Sequence, residues 1–147
     1  MFAITDEPIE HWLAQHPLHN PRAGAFVTFE GRVRNHQDGE AVTSLEYEIY
    51  TALAQSEGER ILAETKTRFD ILEIHAIHRH GHLHIGETAV WIGVLSPHRK
   101  EAFEACEYAI NEIKHRLPIW KKEHYANGDS GWVNCERCAA PGAHAHA

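Results

Sequence analysis

The chain has 147 residues, 43% of them hydrophobic, with 14 Lys+Arg against 21 Asp+Glu and a formal net charge of -7. That length suits one domain whose core needs no disulfide or metal, and no apolar run approaches the roughly 20 residues that cross a bilayer. Net acidity without a long basic stripe argues against a nucleic-acid partner.

The first residues meet acids early and lack a basic region, so no signal peptide is expected there. Three cysteines, an odd number, fit a reducing cytoplasm better than a disulfide framework. A short helix is predicted over residues 7–15, with Ile9, Trp12 and Leu13 on one face. Residues 17–24 form a turn-rich connector. Residues 25–34 alternate as a strand, with Ala25, Val27, Phe29 and Val33 on one side and Thr28, Glu30, Arg32 and Arg34 on the other. Residues 35–40 contain Asp38-Gly39, a turn signal that would send the chain back antiparallel as a strand over 41–50.

A helix follows over 51–69, with Leu53, Ile61, Leu62, Thr65 and Phe69 near helical spacing. Two strands, 71–78 and 88–95, are joined through Gly81 and Gly86. The next helix is predicted to begin at Ser96-Pro97, a serine N-cap before a proline that needs no N–H. Its buried stripe is Phe103, Cys106, Ile110, Ile113 and Leu117, and Pro118 ends it. Strand pairs mixed with helices give an α+β single domain with a largely antiparallel sheet. The chain is weakly patterned from Gly128. The domain is placed at residues 1–133 and a flexible tail at 134–147.

Positive charge gathers in one place. Residues 114–122 hold Lys114, Arg116, Lys121 and Lys122 and no acid, while the rest of the chain carries ten basic against 21 acidic residues, a net -11. Like charges held together repel, so an anionic ligand or partner terminus is expected there. Lys114 and Arg116 also suit a helix C-terminus, where the dipole favours cations. Lys121 and Lys122 lie beyond Pro118, and in an extended segment they point to opposite faces. One of them therefore enters a pocket, with Trp120 on the opposite side from it. A lysine desolvated among cations is suited to proton transfer or nucleophilic attack, although a solvated pair is the plainer reading.

His98 and Arg99 fall in the first turn of the same helix, where free backbone N–H groups favour an anion. A bound phosphate would explain an arginine set against the dipole; an exposed arginine reaching a distant carboxylate is the alternative. Lys114 lies about 24 Å further along the helix at roughly 1.5 Å per residue, too far to share one ligand atom with His98. Arg34 ends a strand on its polar face and is either an anion contact or an edge charge.

Fourteen histidines invite a metal reading. His78, His80, His82 and His84 alternate, but Gly81 and Gly86 suggest a turn, and no carboxylate or cysteine lies at evident ligand spacing. Cys135, Cys138, His144 and His146 have zinc-type ligands but no downstream fold to hold together, so no metal is assigned. Cys106 reads as a small hydrophobe in its helix.

With these residues laid out, the chain resembles the MoaE family, the large catalytic subunit of molybdopterin synthase. The resemblance runs in order from Gly24-Ala25 through Phe29-x-Gly31-x-Val33-Arg34-Asn35, Leu45-x-Tyr47-Glu48-x-Tyr50 and His78-Arg79-x-Gly81-x-Leu83 with Gly86-Glu87. It continues through Ser96-x-His98-Arg99-x-x-Ala102-Phe103 and Lys114-x-Arg116-x-Pro118-Ile119-Trp120-Lys121-Lys122-Glu123, and closes at Trp132-Val133.

The resemblance implies an α/β hammerhead with an added antiparallel sheet, assembled as a homodimer and, with its partner, a heterotetramer. The implied partner is a small ubiquitin-like subunit whose C-terminal thiocarboxylate gives sulfur to cyclic pyranopterin monophosphate, forming the dithiolene of molybdopterin. No resident cofactor is implied. Lys114 and Lys121 match the catalytic pair. Residues matching Arg34, His98 and Arg99 line the pterin-phosphate pocket, Glu123 orients Lys121, and both copies of the dimer contribute to a site. After Trp132 the chain departs from the family pattern: Arg137 is in uncertain register with a further basic residue, and the Cys/His tail is its own. A docking module for a ubiquitin-like tail, without chemistry, is the alternative that substitution of both lysines would separate. A metal-handling protein built on the histidines and tail cysteines is a third reading, which metal analysis would separate.

Overall fold

Among the described residues the elements follow in the order β1 (Phe2–Thr5), α1 (Ile9–Gln15), β2 (Ala25–Arg32), β3 (His36–Gln37), β4 (Glu40–Ile49), α2 (Thr51–Arg68), β5 (Glu73–Arg79), β6 (Gly81–His84), β7 (Thr88–Ser96), α3 (Arg99–Arg116), β8 (Ile119–Tyr125) and β9 (Ser130–Asn134). The computed structural model describes residues 1–134 apart from Asp38 and Asp129. Asn134, placed in the expected tail, ends β9; the rest of that tail, with Cys135, Arg137, Cys138, His144 and His146, lies outside the described residues.

The strands divide into two sheets. One has the order β1-β5-β7-β2, and in the other β4 lies between β6 and β8, with β9 beyond β8 and β3 on β4. Every pairing is antiparallel except β1 with β5. The α+β reading therefore holds, together with the added antiparallel sheet that the resemblance implied.

Helices α2 and α3 cover the first sheet, and the main core lies between them, where Ile61, Ala76, Ile92, Val94, Ala102, Ala105 and Ala109 are fully buried. Each large aliphatic side chain there contributes about 1.5–3 kcal/mol by leaving water. A second cluster of Val33, Val42, Leu45, Leu83 and Ala89 links the two sheets beside the site. A third, of Ile9, Ile77 and Trp91, fixes α1.

Several expectations are corrected. The turn at Gly39 exists, with φ 81°, but it closes only the short β3–β4 ladder. Strand β4 then pairs with β8 and β6, whereas β2 pairs with β7. Ser96 is the last residue of β7, paired with Ala25, so α3 starts at Arg99 with His98 at its N-cap. The Ser96 hydroxyl donates instead to the His98 carbonyl at 2.8 Å.

Phe103 and Leu53 are not core residues: they are 62% and 61% exposed. The buried face of α3 is rotated onto Ala102, Ala105, Cys106, Ala109 and Ile113, because small side chains let the helix sit close to the sheet. Four strands were not anticipated as such: β1 ahead of the first helix, β3 in the segment read as a loop, β6 in the segment read as a turn, and β9, which extends the second sheet beside β8.

Candidate active site

Pro118 makes the site possible. It ends α3 at Arg116, leaves Leu117 extended and sends the chain into β8. Leu117 and Ile119 are both buried and anchor the corner. Lys114, in the last turn of α3, and Lys121, on β8, then line the same cavity of about 220 Å³ with Arg34, Tyr47 and Glu123. Gly31 belongs to this wall, where a Cβ would come within 2.7 Å of Val90.

The basic segment separates its members. Lys121 is 9% exposed on the inner face of β8, with Nζ 3.4 Å from Oε1 of Glu123, itself 3% exposed. The Tyr125 hydroxyl donates to the other oxygen of Glu123 at 3.1 Å. Lys122 faces outward, its ammonium 5.6 Å from the centre of the Trp132 ring. Arg116 turns away from the cavity toward α2. It donates to Glu57 at 2.7 Å, to Glu64 at 2.6 Å and to Glu112 at 3.2 Å, a fork geometry that ties the two helices together.

Arg34, on the loop after β2, donates to the Oε1 of buried Gln37 at 2.6 Å, which fixes its guanidinium at the mouth of the cavity. Arg32 also lines the cavity, with its charge partly met by Glu30 at 2.8 Å. Four cationic side chains thus face one carboxylate, Glu123, in a chain that is acidic overall. Such a cavity attracts anions.

His78, not named among the candidate site residues, packs behind the cavity wall. It is buried at the end of β5, edge-on to Tyr47 with ring centres 5.1 Å apart. Burial pushes it down to about 4, and the nearby charge of Lys114 acts in the same direction against its backbone hydrogen bond. Its Nδ1 lies 2.8 Å from the Arg79 carbonyl. A carbonyl only accepts, so Nδ1 carries the proton of the neutral ring. The sequence showed one histidine in an alternating run; its place beneath the lysine depends on the β5–β7 and β4–β6 pairings, which are non-local.

His98 and Arg99 are not brought to this cavity. They border a separate, open recess with Gly24 and Pro97, so a single chain does not unite all the expected residues. Cys106 is as expected: burial pushes its thiol up to about 11, which leaves it an unreactive packing group. Among the described residues, no helix is long and apolar enough to cross a membrane.

Known proteins similar to this chain identify its family. The family model described as MoaE protein matches residues 4–116. A molybdopterin synthase catalytic subunit from Thermoplasma volcanium is 43% identical over 129 residues, spanning 88% of this chain and 94% of the relative. The solved molybdopterin synthase from Staphylococcus aureus superposes with a TM-score of 0.81 at 39% identity, covering 88% of this chain and 94% of that one. A complex of subunits 1 and 2 of molybdopterin-converting factor from Helicobacter pylori matches with a TM-score of 0.69 at 25% identity, covering 90% and 88%. By family model, by identity over nearly its whole described length and by fold, this chain belongs to the MoaE family.

Proposed function

We propose that this chain is the sulfur-transferring subunit of a molybdopterin synthase. It takes sulfur from the C-terminal thiocarboxylate of a small ubiquitin-like subunit and delivers it to cyclic pyranopterin monophosphate. Two such transfers form the dithiolene of molybdopterin, and the cyclic phosphate opens. The observation that carries this reading is the convergence of Lys114 and Lys121 in one cationic cavity, with Lys121 nearly buried against Glu123.

Both reactants are anionic, which fits a cavity where cations outnumber carboxylates. Lys121, positioned by Glu123, polarises the thiocarboxylate carbonyl as sulfur leaves it. Lys114 moves protons at the pterin side chain. Arg34 offers a planar fork for phosphate oxygens.

At about 220 Å³ the cavity is smaller than the roughly 300–1,000 Å³ of sites that enclose a drug-sized ligand. One protomer therefore holds part of the reacting pair, and a second copy completes the site with its own His98 and Arg99. The assembly is a homodimer carrying two small subunits, as the subunit complex from Helicobacter pylori suggests for the partner. Its place of work is the cytoplasm.

The test is reconstitution. Purified chain, thiocarboxylated small subunit and cyclic pyranopterin monophosphate should yield molybdopterin in a single turnover. Binding of the small subunit without product would leave only a docking module.

A further inference from the structure

The second sheet has another face. On β4, Leu45 and Tyr47 line the cavity, so Glu46 between them points outward. The same alternation on β6 turns His82 and His84 out around buried Leu83, and on β8 it turns Lys122 and His124 out around buried Glu123. The ladder sets Glu46 opposite both His82 and Lys122, and Ser44 opposite both His84 and His124. Three strands distant in sequence therefore bring imidazoles and a carboxylate together.

Oε1 of Glu46 lies 2.8 Å from Nε2 of His124 and 3.9 Å from Nδ1 of His82. One ligand atom from each of the three residues falls within 4.8 Å of the others. The His84 ring is 5.0 Å from that of His82, and the His124 ring is 5.9 Å from it. We propose that Glu46, His82 and His124 form a binding site for a divalent transition-metal ion of the zinc class, with His84 within reach as a fourth ligand.

The donor set favours this class of ion. Imidazole nitrogen with carboxylate oxygen suits zinc and its neighbours, whereas calcium and magnesium take oxygen ligands. The obvious alternative is a hydrogen-bonded surface cluster. That alternative explains the contact of Glu46 with His124, but it leaves His82 at 3.9 Å from the carboxylate, edge-on to His84 and tilted against His124. A metal ion uses neutral imidazoles and gives all of them a common partner.

Ligand atoms bonded at about 2.0–2.1 Å in a tetrahedron stand about 3.3 Å apart. Closing from the present spread needs a rotation of His82, whose side chain is 46% exposed and has room to turn. Lys122 is the unfavourable neighbour, and its ammonium is drawn over Trp132 instead.

The site lies on the face of the sheet opposite the cavity, away from its chemistry. A bound ion would staple β6, β4 and β8, whose inner face carries Lys121 and Glu123. Occupancy would stiffen that wall without touching a reactant.

The test uses the untagged full chain, stripped with chelator and titrated with Zn²⁺ and with Co²⁺. A stoichiometric ion is expected, with a cobalt spectrum of nitrogen and oxygen ligation and no thiolate-to-cobalt charge-transfer band. Zn²⁺ should raise the unfolding temperature. His82→Ala and His124→Ala should each weaken binding at least about tenfold and abolish the thermal shift, whereas the Cys135→Ser/Cys138→Ser variant should bind as the native chain does. His82 is exposed, so its variant serves where His124→Ala disturbs β8. Binding indifferent to both histidines, lost only in the cysteine variant, or absent altogether would overturn the proposal.

Discussion

Lys121 and Glu123 stand on one face of β8 with Nζ 3.4 Å from Oε1, and both are nearly withdrawn from water. A pair so placed is costly to break from either side, because the survivor is left as a buried charge. Lys121→Met and Glu123→Gln should each cost about 3 kcal/mol, and the double variant should cost clearly less than their sum. Urea unfolding of the three variants measures this coupling; simple additivity would mean the two charges do not stabilise one another.

Arg116 sits two residues from Lys114 in the sequence but serves the packing of α3 on α2 through Glu57 and Glu64, with Glu112 of its own helix as a third partner. Arg116→Ala should destabilise by about 2 kcal/mol, the scale of hydrogen bonds to charged groups. Arg116→Lys should recover less than half of that, since one ammonium cannot span the fork. Turnover per folded molecule should stay native. A loss of turnover without loss of stability would place Arg116 in the site after all.

His78 gives the fold a pH dependence of known sign. Its pKa falls from 6.5 in the unfolded chain to about 4 in the folded one, so the unfolded state binds the extra proton between those values. The contribution is fully present above 6.5 and is lost as pH falls toward 4. At roughly 1.36 kcal/mol per pH unit the total approaches about 3 kcal/mol. Carboxylates such as Glu73, held low chiefly by its hydrogen bond from His75, add a further loss at lower pH. Thermal unfolding of His78→Phe across pH 6.5 to 4 should therefore be flatter than that of the native chain, and an equal slope would refute the assignment.

Gly58 lies in α2 against the Phe2 ring, where a Cβ would meet ring carbons at 2.5 Å. Glycine to alanine normally helps a helix by about 1 kcal/mol. Here the clash should reverse the sign and cost about 2 kcal/mol. A stabilised Gly58→Ala variant in a melting experiment would show that β1 does not pack on α2 as described.

How much of this was legible in sequence depended on how local the signal was. The extent of α2, the end of α3 at Pro118 and the alternation of residues 25–34 are written in neighbouring residues. The opposed faces of Lys121 and Lys122 followed from strand geometry alone. Strand partners did not follow, because register is held by residues far away. His82 and His84 lie in a short strand flanked by glycines that looked like turn signals, and their carboxylate comes from β4. Ser96-Pro97 matched a helix start, yet the ladder with Ala25 claimed Ser96 first. Within the site, Lys114, Lys121, Glu123 and Arg34 do meet. His98 and Arg99 do not join them within a single chain, and His78 packs behind the wall through its contact with Tyr47.

The most direct measurement is a single-turnover assay of native chain and Lys114→Ala with thiocarboxylated small subunit and cyclic pyranopterin monophosphate. The account predicts molybdopterin from the native chain and a rate lowered at least about 10²-fold in the variant, with small-subunit affinity unchanged. Equal rates would contradict the assignment of Lys114 to the chemistry, and no product from a native chain that binds its partner would contradict the enzyme itself.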